Sequence, residues 1–203
     1  MFALVEDGSI TKTLSGNRGI TLGDIQYSRN IFSFRWTNAE REAIGIYEIV
    51  WDNTNKKDEE YYTNTNQTFA FAGGVVAASY GSATAKPHAD TLFTAQDEID
   101  GKGTEGEVAV EGLKTKKIRS IKQQAAGILQ DTDWYITRKA DAGTAVPSAI
   151  TTHRAAVRTK CAEMETAITN ASNTAAIKTL YTYTEQEDGS VTRPLGELPT
   201  LEV

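Results

Sequence analysis

The sequence contains few of the residues on which covalent or metal-based chemistry usually depends. Its 203 residues include one cysteine, Cys161, and two histidines, His88 and His153. A single thiol can form neither an intramolecular disulfide nor a thiolate zinc site, so a reducing compartment suits the chain. The histidines lie far apart and lack the helical spacing of a metal-binding pair. We therefore expect no metal and no cofactor, and we interpret Cys161 as a small apolar residue rather than a nucleophile.

Long hydrophobic runs are also missing. No apolar segment reaches the roughly 18 residues that a membrane-spanning helix needs. The apolar start Met1–Val5 is interrupted at once by Glu6 and Asp7, unlike a signal peptide. We expect neither membrane insertion nor secretion through a signal peptide.

Positive charge is in deficit, and the deficit is not spread evenly. The chain has 21 Lys and Arg against 27 Asp and Glu, a formal net charge of −6, which argues against a nucleic-acid partner. Residues 1–100 contain 8 basic and 14 acidic side chains, and residues 101–203 contain 13 of each. The first half is rich in aromatics, Asn and Gly and the second in Ala, Lys and Thr, which predicts an α+β fold with strands first and helices after.

Recognisable catalytic motifs are absent as well. The sequence has no nucleophile elbow, no phosphate-binding loop and no dinucleotide fingerprint. Asp97–Gly101 is a poor calcium loop because Ile99 occupies a ligand position. Adjacent carboxylates at Asp58–Glu60 keep a polysaccharide-cleaving enzyme open as a third hypothesis, although such residues at a turn are usually only solvated. We expect the protein not to be an enzyme.

The β-rich region is predicted over residues 1–86 as a small antiparallel meander. Asp7-Gly8 suits the tight turn of a hairpin, and Thr37 with Glu40 forms a capping box for a short helix. Further strands are predicted at 45–51, 60–63, 67–72 and 75–80. Antiparallel pairing is expected because the connections are too short for crossover helices.

Residues 87–112 are predicted to be a linker or an exposed insertion, and residues 113–203 a helical domain with an irregular tail. Apolar residues recur there at spacings of three and four, which predicts two helical seams for helix-on-helix packing, self-association or docking. The assembly residues in these seams are Ile118, Ile121, Ile128, Val157, Met164 and Ile168.

Three segments of the helical region resemble a C-terminal module of tail and tail-fibre-associated proteins of tailed bacteriophages. They are GILQDTDWYITRK at 127–139, GTAVP at 143–147 and THRAAVR at 152–158, and the module extends over roughly residues 113–181. The start of the chain is similar to the beginning of such phage proteins at Arg29–Ser33, Trp36 and Gly45–Tyr47. His153 stands where the family pattern more often has tyrosine.

The residues of this motif also predict a brace at a corner between two helices. Asp131 or Thr132 would cap the turn after the first helix, and Trp134 would fill the angle between the helices. Two arginines, Arg138 and Arg154, would pair with Asp131 and Asp133 around it.

The resemblance implies a structural component of a bacteriophage tail, in the fibre, tail tip or baseplate apparatus, that mediates assembly and host attachment. It implies a virion location after synthesis in the host cytoplasm. The implied partners are other phage tail proteins, further copies of the chain as a trimer or higher oligomer, and a host surface glycan. The alternative is a tail-fibre assembly chaperone that is not retained in the virion.

Overall fold

The computed structural model describes residues 1–65 and 67–201. Asn66, which belongs to a predicted strand connection, and the last two residues of the predicted tail lie outside the described residues. The chain divides into two compact units, Met1–Thr84 and Ala85–Val203. Strands dominate the first unit and helices the second, so the fold is α+β, as predicted.

The first unit is built from short strands with one short helix. The helix α1, Asn38–Glu42, begins with the predicted capping box of Thr37 and Glu40, and a 3-10 turn covers Arg29–Phe32. The hairpin turn at Asp7-Gly8 is confirmed, with positive φ at both residues. The strands are β1 (Phe2–Glu6), β2 (Ser9–Leu14), β3 (Ile20–Leu22), β4 (Ile25–Tyr27), β5 (Ile46–Asp52), β6 (Tyr62–Thr63), β7 (Thr68–Ala72) and β8 (Val75–Ser79), and β9 (Thr84–Ala85) lies at the unit boundary.

The main sheet is mixed, and the prediction of a purely antiparallel meander is wrong. Its strand order is β2-β1-β5-β8-β7. All neighbours are antiparallel except β5 and β8, which run parallel with Val50 beside Ala77. The chain leaves β5 through a long connection, forms β7 at the sheet edge and returns as β8 between β7 and β5. A loop and an edge strand therefore provide the crossover that a helix usually provides.

Side chains on the two faces of this sheet have different surroundings. The sheet curls, so that residues of the edge strands β2 and β7 approach within 8 Å between Cα atoms. The concave face holds a core around Ala3, Val5, Ile49, Val76 and Ala78. On the convex face, Leu4, Leu14 and Ile46 are covered by residues 20–44 around Ile31.

The second unit is mainly helical. Its long helices α3 and α5 pack against each other, and α6 packs on both. The elements are β10 (Thr91–Leu92), α2 (Ala95–Ile99), β11 (Val108–Val110), α3 (Leu113–Gln130), α4 (Asp133–Ala142), α5 (Ser148–Asn170), α6 (Thr174–Tyr181), β12 (Thr184–Glu185) and β13 (Val191–Thr192).

Residues 87–112 belong to this second unit and have secondary structure of their own. The strands β10 and β11 pair, and α2 lies between them in the chain. The carboxylate of Asp90 accepts hydrogen bonds from the Gly112 amide at 2.6 Å and the Thr115 hydroxyl at 2.7 Å. Because the first amides of a helix lack partners inside it, Asp90 caps α3 from outside the helix.

The C-terminal tail contributes to the helical core. Leu195 is buried against the α3–α5 pair, and its amide donates to the Leu180 carbonyl at 3.0 Å. The expected irregular path therefore includes a hairpin, β12–β13, and a core residue.

Candidate functional site

Arg154, on α5, joins the end of α3 to the start of α4. Its side chain is buried, and Nη1 donates to the Leu129 carbonyl at 2.7 Å and to the Thr132 hydroxyl at 2.6 Å. The last carbonyls of a helix have no partner within it, and a cation at that end is favourable. Arg154 thus adds a charged donor to the Leu129 carbonyl, which also accepts the Thr132 amide at 3.1 Å.

The same guanidinium forms the predicted ion pair with Asp133. Arg154 Nη2 lies 2.8 Å from the Asp133 Oδ1 atom, in the first turn of α4. Thr132 does not cap α4 with its side chain, because its hydroxyl donates back to the Leu129 carbonyl at 3.0 Å. Asp131, the C-cap residue that follows α3, is exposed. Within the described residues it forms an ion pair with neither Arg138 nor Arg154.

The predicted position of Trp134 inside the corner is wrong. Its side chain is 52% exposed on α4, and the buried Thr132 and Arg154 fill the corner instead. The Trp134 and Tyr135 ring centroids are 4.2 Å apart. Arg138 does not pair with an aspartate as expected, because its guanidinium lies 4.5 Å from the Trp134 ring centroid and 5.6 Å from that of Tyr135.

These side chains form one outward surface, which we call the α4 aromatic surface. It consists of Trp134, Tyr135 and Arg138. The residues three and four positions apart on a helix share a face, which brings Arg138 over both rings. A stacked arginine and tryptophan offer flat apolar area together with guanidinium donors, the combination that dominates protein interfaces.

The two predicted helical seams pack against each other within the unit. Ile121, Val157, Met164 and Ile168 form its buried core, and Ile118 and Ile128 are partly buried against them. The helix-on-helix packing predicted for the seams is therefore confirmed, while self-association or docking through them stays a prediction.

The remaining candidate chemical groups have structural partners. The Cys161 thiol donates to Glu165 at 3.4 Å. Burial, and to a smaller extent Glu165, raises the pKa of Cys161 and keeps the thiol protonated. Asp97 accepts from the Thr94 hydroxyl and amide and pairs with Lys102. Among residues 1–65 and 67–201, no three His, Cys, Asp or Glu side chains are grouped to hold a metal ion.

The two histidines and the acidic turn at Asp58–Glu60 lie in different structural surroundings. His153 is buried on α5, while the His88 carbonyl accepts the Lys114 amide at 3.0 Å. Glu59 pairs with Lys56 at 3.2 Å, and the Asp58 carboxylate accepts the amide of Glu60. These contacts stabilise a turn.

A second buried arginine, Arg41, was not predicted. Its Nη1 atom donates to the carbonyls of Ile31, Ser33 and Trp36 at 3.1, 3.2 and 2.7 Å. It thereby fixes residues 31–36 in one conformation, while Phe34 between these carbonyls is 96% exposed. The sequence signal was weak, because an arginine in a short helix normally faces solvent.

The comparisons with known proteins add no relative. No protein-family model, curated protein or solved structure matches this chain. None of the helices in the described part of the chain is long and apolar enough to cross a membrane. Exposed apolar side chains that can contact other molecules lie on the α4 aromatic surface and in the loop of residues 33–36, which we call the Phe34 loop.

Proposed function

We propose that the protein is a structural component of a bacteriophage tail, in the fibre, tail tip or baseplate apparatus, where it mediates assembly and host attachment. The observation that carries this proposal is the α4 aromatic surface. It lies within residues 127–139, the segment that resembles the tail-protein module.

The motif divides into an inward and an outward half. Leu129, Thr132 and Asp133 bind Arg154 and set the angle between α3 and α4. The contacts of Trp134, Tyr135 and Arg138 with one another are separate from these. A chain needs no exposed ring stack to make a helical corner, so the outward half is best explained as a contact for another protein.

The proposed partners are other tail proteins and further copies of this chain, with a host glycan as the contact in attachment. Exposed tryptophan and tyrosine faces suit both protein surfaces and sugar rings. The proposed role needs no reactive group and no cofactor, and it places the protein in the virion.

Mass spectrometry of purified phage particles tests this proposal. We expect the particles to contain this chain at a fixed number of copies per tail, and that number to be a multiple of three, in keeping with the tail symmetry. In particles grown with a Trp134→Ala copy we expect strongly reduced incorporation. A wild-type chain that is missing from purified particles would overturn the assignment to the tail.

The alternative is a tail-fibre assembly chaperone, and the exposed apolar surface on α4 is also suited to holding an immature fibre. In that case the chain would occur in the infected-cell lysate but not in particles. A pull-down of fibre protein from the lysate would then depend on Trp134.

A further inference from the structure

Phe34 is the most exposed large apolar side chain of the first unit, at 96%. Single exposed apolar residues are common on protein surfaces. Phe34 differs because Arg41 holds the carbonyls of Ser33 and Trp36 on either side of it. Because the backbone on both sides of Phe34 is held, little backbone freedom is lost when the ring binds.

The same unit has an uncovered part of its sheet. On the convex face, the covering residues 20–44 pack on β1, β2 and the start of β5. Farther along, Val50 of β5, Ala77 of β8 and Ala70 of β7 form one row across three strands, beside Val75 and Ala72. Val50 is 56% exposed and Val75 47% exposed. We call these five residues the bare sheet face.

Carboxylates border the bare sheet face. Glu48 and Asp52 lie two positions either side of Val50 and therefore project from the same face of β5. The hydroxyl and the amide of Thr54 both donate to the Asp52 carboxylate. These bonds lower the pKa of Asp52, the hydroxyl having the larger effect, and keep the carboxylate charged. The face is apolar in the middle and negative at its border.

The Phe34 loop has the opposite charge. Arg35 follows Phe34 directly and is exposed. Residues 29–36 contain two charged side chains, Arg29 and Arg35, and both are basic and exposed.

We propose that the Phe34 loop of one copy docks on the bare sheet face of a second copy. The ring of Phe34 covers Val50 and the alanines, and Arg35 lies against Glu48 and Asp52. This assigns a surface to the self-assembly in the proposed function and rests on it. A second copy is favoured as the occupant because one chain carries both the basic apolar loop and its acid-bordered apolar counterpart.

The contact is small, since one aromatic ring buries about 150–250 Å². We therefore expect weak association of the isolated chain, which becomes effective when many copies are held together in a particle. Salt should weaken it, because the charges at its border are exposed.

Sedimentation velocity of the full chain, from micromolar to submillimolar concentration, tests the proposal. We expect the wild-type average mass to rise with concentration, and Phe34→Ser and Val50→Lys each to weaken association by about tenfold or more. The matched controls Ile99→Ser and Val191→Lys remove apolar side chains elsewhere that are 78% and 60% exposed, and they should leave association unchanged. All four positions are exposed, and circular dichroism checks that each variant folds.

Mixing the two defective variants identifies the contact. A Phe34→Ser copy keeps its sheet face and a Val50→Lys copy keeps its loop, so their mixture should form a mixed pair that neither forms alone. A wild-type chain that stays monomeric overturns the proposal, as does association that both substitutions leave intact. Phe34-dependent binding to phosphatidylglycerol vesicles without self-association would also overturn it, since a membrane would then be the occupant.

The particle measurement separates this proposal from the proposed function. A chain that is present in particles but monomeric in solution overturns the Phe34 contact and leaves the tail assignment standing. A chain that associates through Phe34 but is missing from particles leaves the contact standing and overturns the tail assignment.

Discussion

Arg154 and Asp133 form an ion pair of 2.8 Å between α5 and the first turn of α4. The arginine side chain is only 9% exposed, whereas that of the aspartate is 57% exposed. The two partners therefore contribute unequally. Arg154 also holds the Leu129 carbonyl and the Thr132 hydroxyl, and the exposed carboxylate is well solvated without it.

Replacing Arg154 should destabilise the helical unit more than any change to its partner. We expect Arg154→Ala to lower the free energy of unfolding by about 2–4 kcal/mol, because the contacts of a buried guanidinium with the Leu129 carbonyl, the Thr132 hydroxyl and Asp133 are lost together. Asp133→Asn should cost less than about 1 kcal/mol. Urea denaturation measures both, with the exposed Arg158→Ala as control. Equal effects at residues 154 and 158 would contradict this role.

Arg41 should have the same importance in the first unit. We expect Arg41→Ala to destabilise this unit by about 2–4 kcal/mol, since three backbone carbonyls lose a charged donor. The exposed neighbour Arg35→Ala should change stability by less than about 0.5 kcal/mol. Urea denaturation followed by tryptophan fluorescence gives both values. If the two variants are equally stable, Arg41 does not fix the loop.

Local patterns in the sequence predicted local structure well. The capping box of Thr37 and Glu40 and the Asp7-Gly8 turn are confirmed because the interacting residues are neighbours in the chain. The helical seams around Ile121 and Met164 follow from periodicity and form the core.

Features that depend on distant residues could not be predicted in this way. The parallel pairing of β5 and β8 depends on where β7 joins the sheet, which no local pattern encodes. Trp134 was placed inside because large aromatics usually are, but Thr132 and Arg154 occupy the corner. A charged residue such as Arg41 is expected at the surface, and its burial is explained by three carbonyl partners that the sequence does not reveal.

Asp97 should titrate far below an ordinary aspartate. The hydroxyl and then the amide of Thr94, followed by Lys102, lower its pKa to about 2. Because folding lowers this pKa, the carboxylate's contribution to stability is complete above about pH 4 and is lost as the pH falls toward 2. Carboxyl-carbon NMR shifts against pH measure the value. Thr94→Ala should move the midpoint upward, and an unchanged midpoint would show that the hydroxyl is not the cause.

Trp134 separates a structural role from a binding role. Because the side chain is half exposed and takes no part in the Arg154 contacts, we expect Trp134→Ala to lower the free energy of unfolding by less than about 1 kcal/mol. Incorporation into particles should nevertheless fall at least tenfold, since an exposed tryptophan stacked with an arginine is typical of residues that dominate an interface.

The matched control is Tyr183→Ala, because Tyr183 is 53% exposed and lies near another arginine, Arg193, outside the α4 aromatic surface. It should leave incorporation unchanged. Stability is read from urea denaturation and incorporation from peptide counts in purified particles. A loss of stability of about 3–5 kcal/mol for Trp134→Ala would mean that the ring is buried after all. Normal stability with normal incorporation would remove the α4 aromatic surface as the docking site.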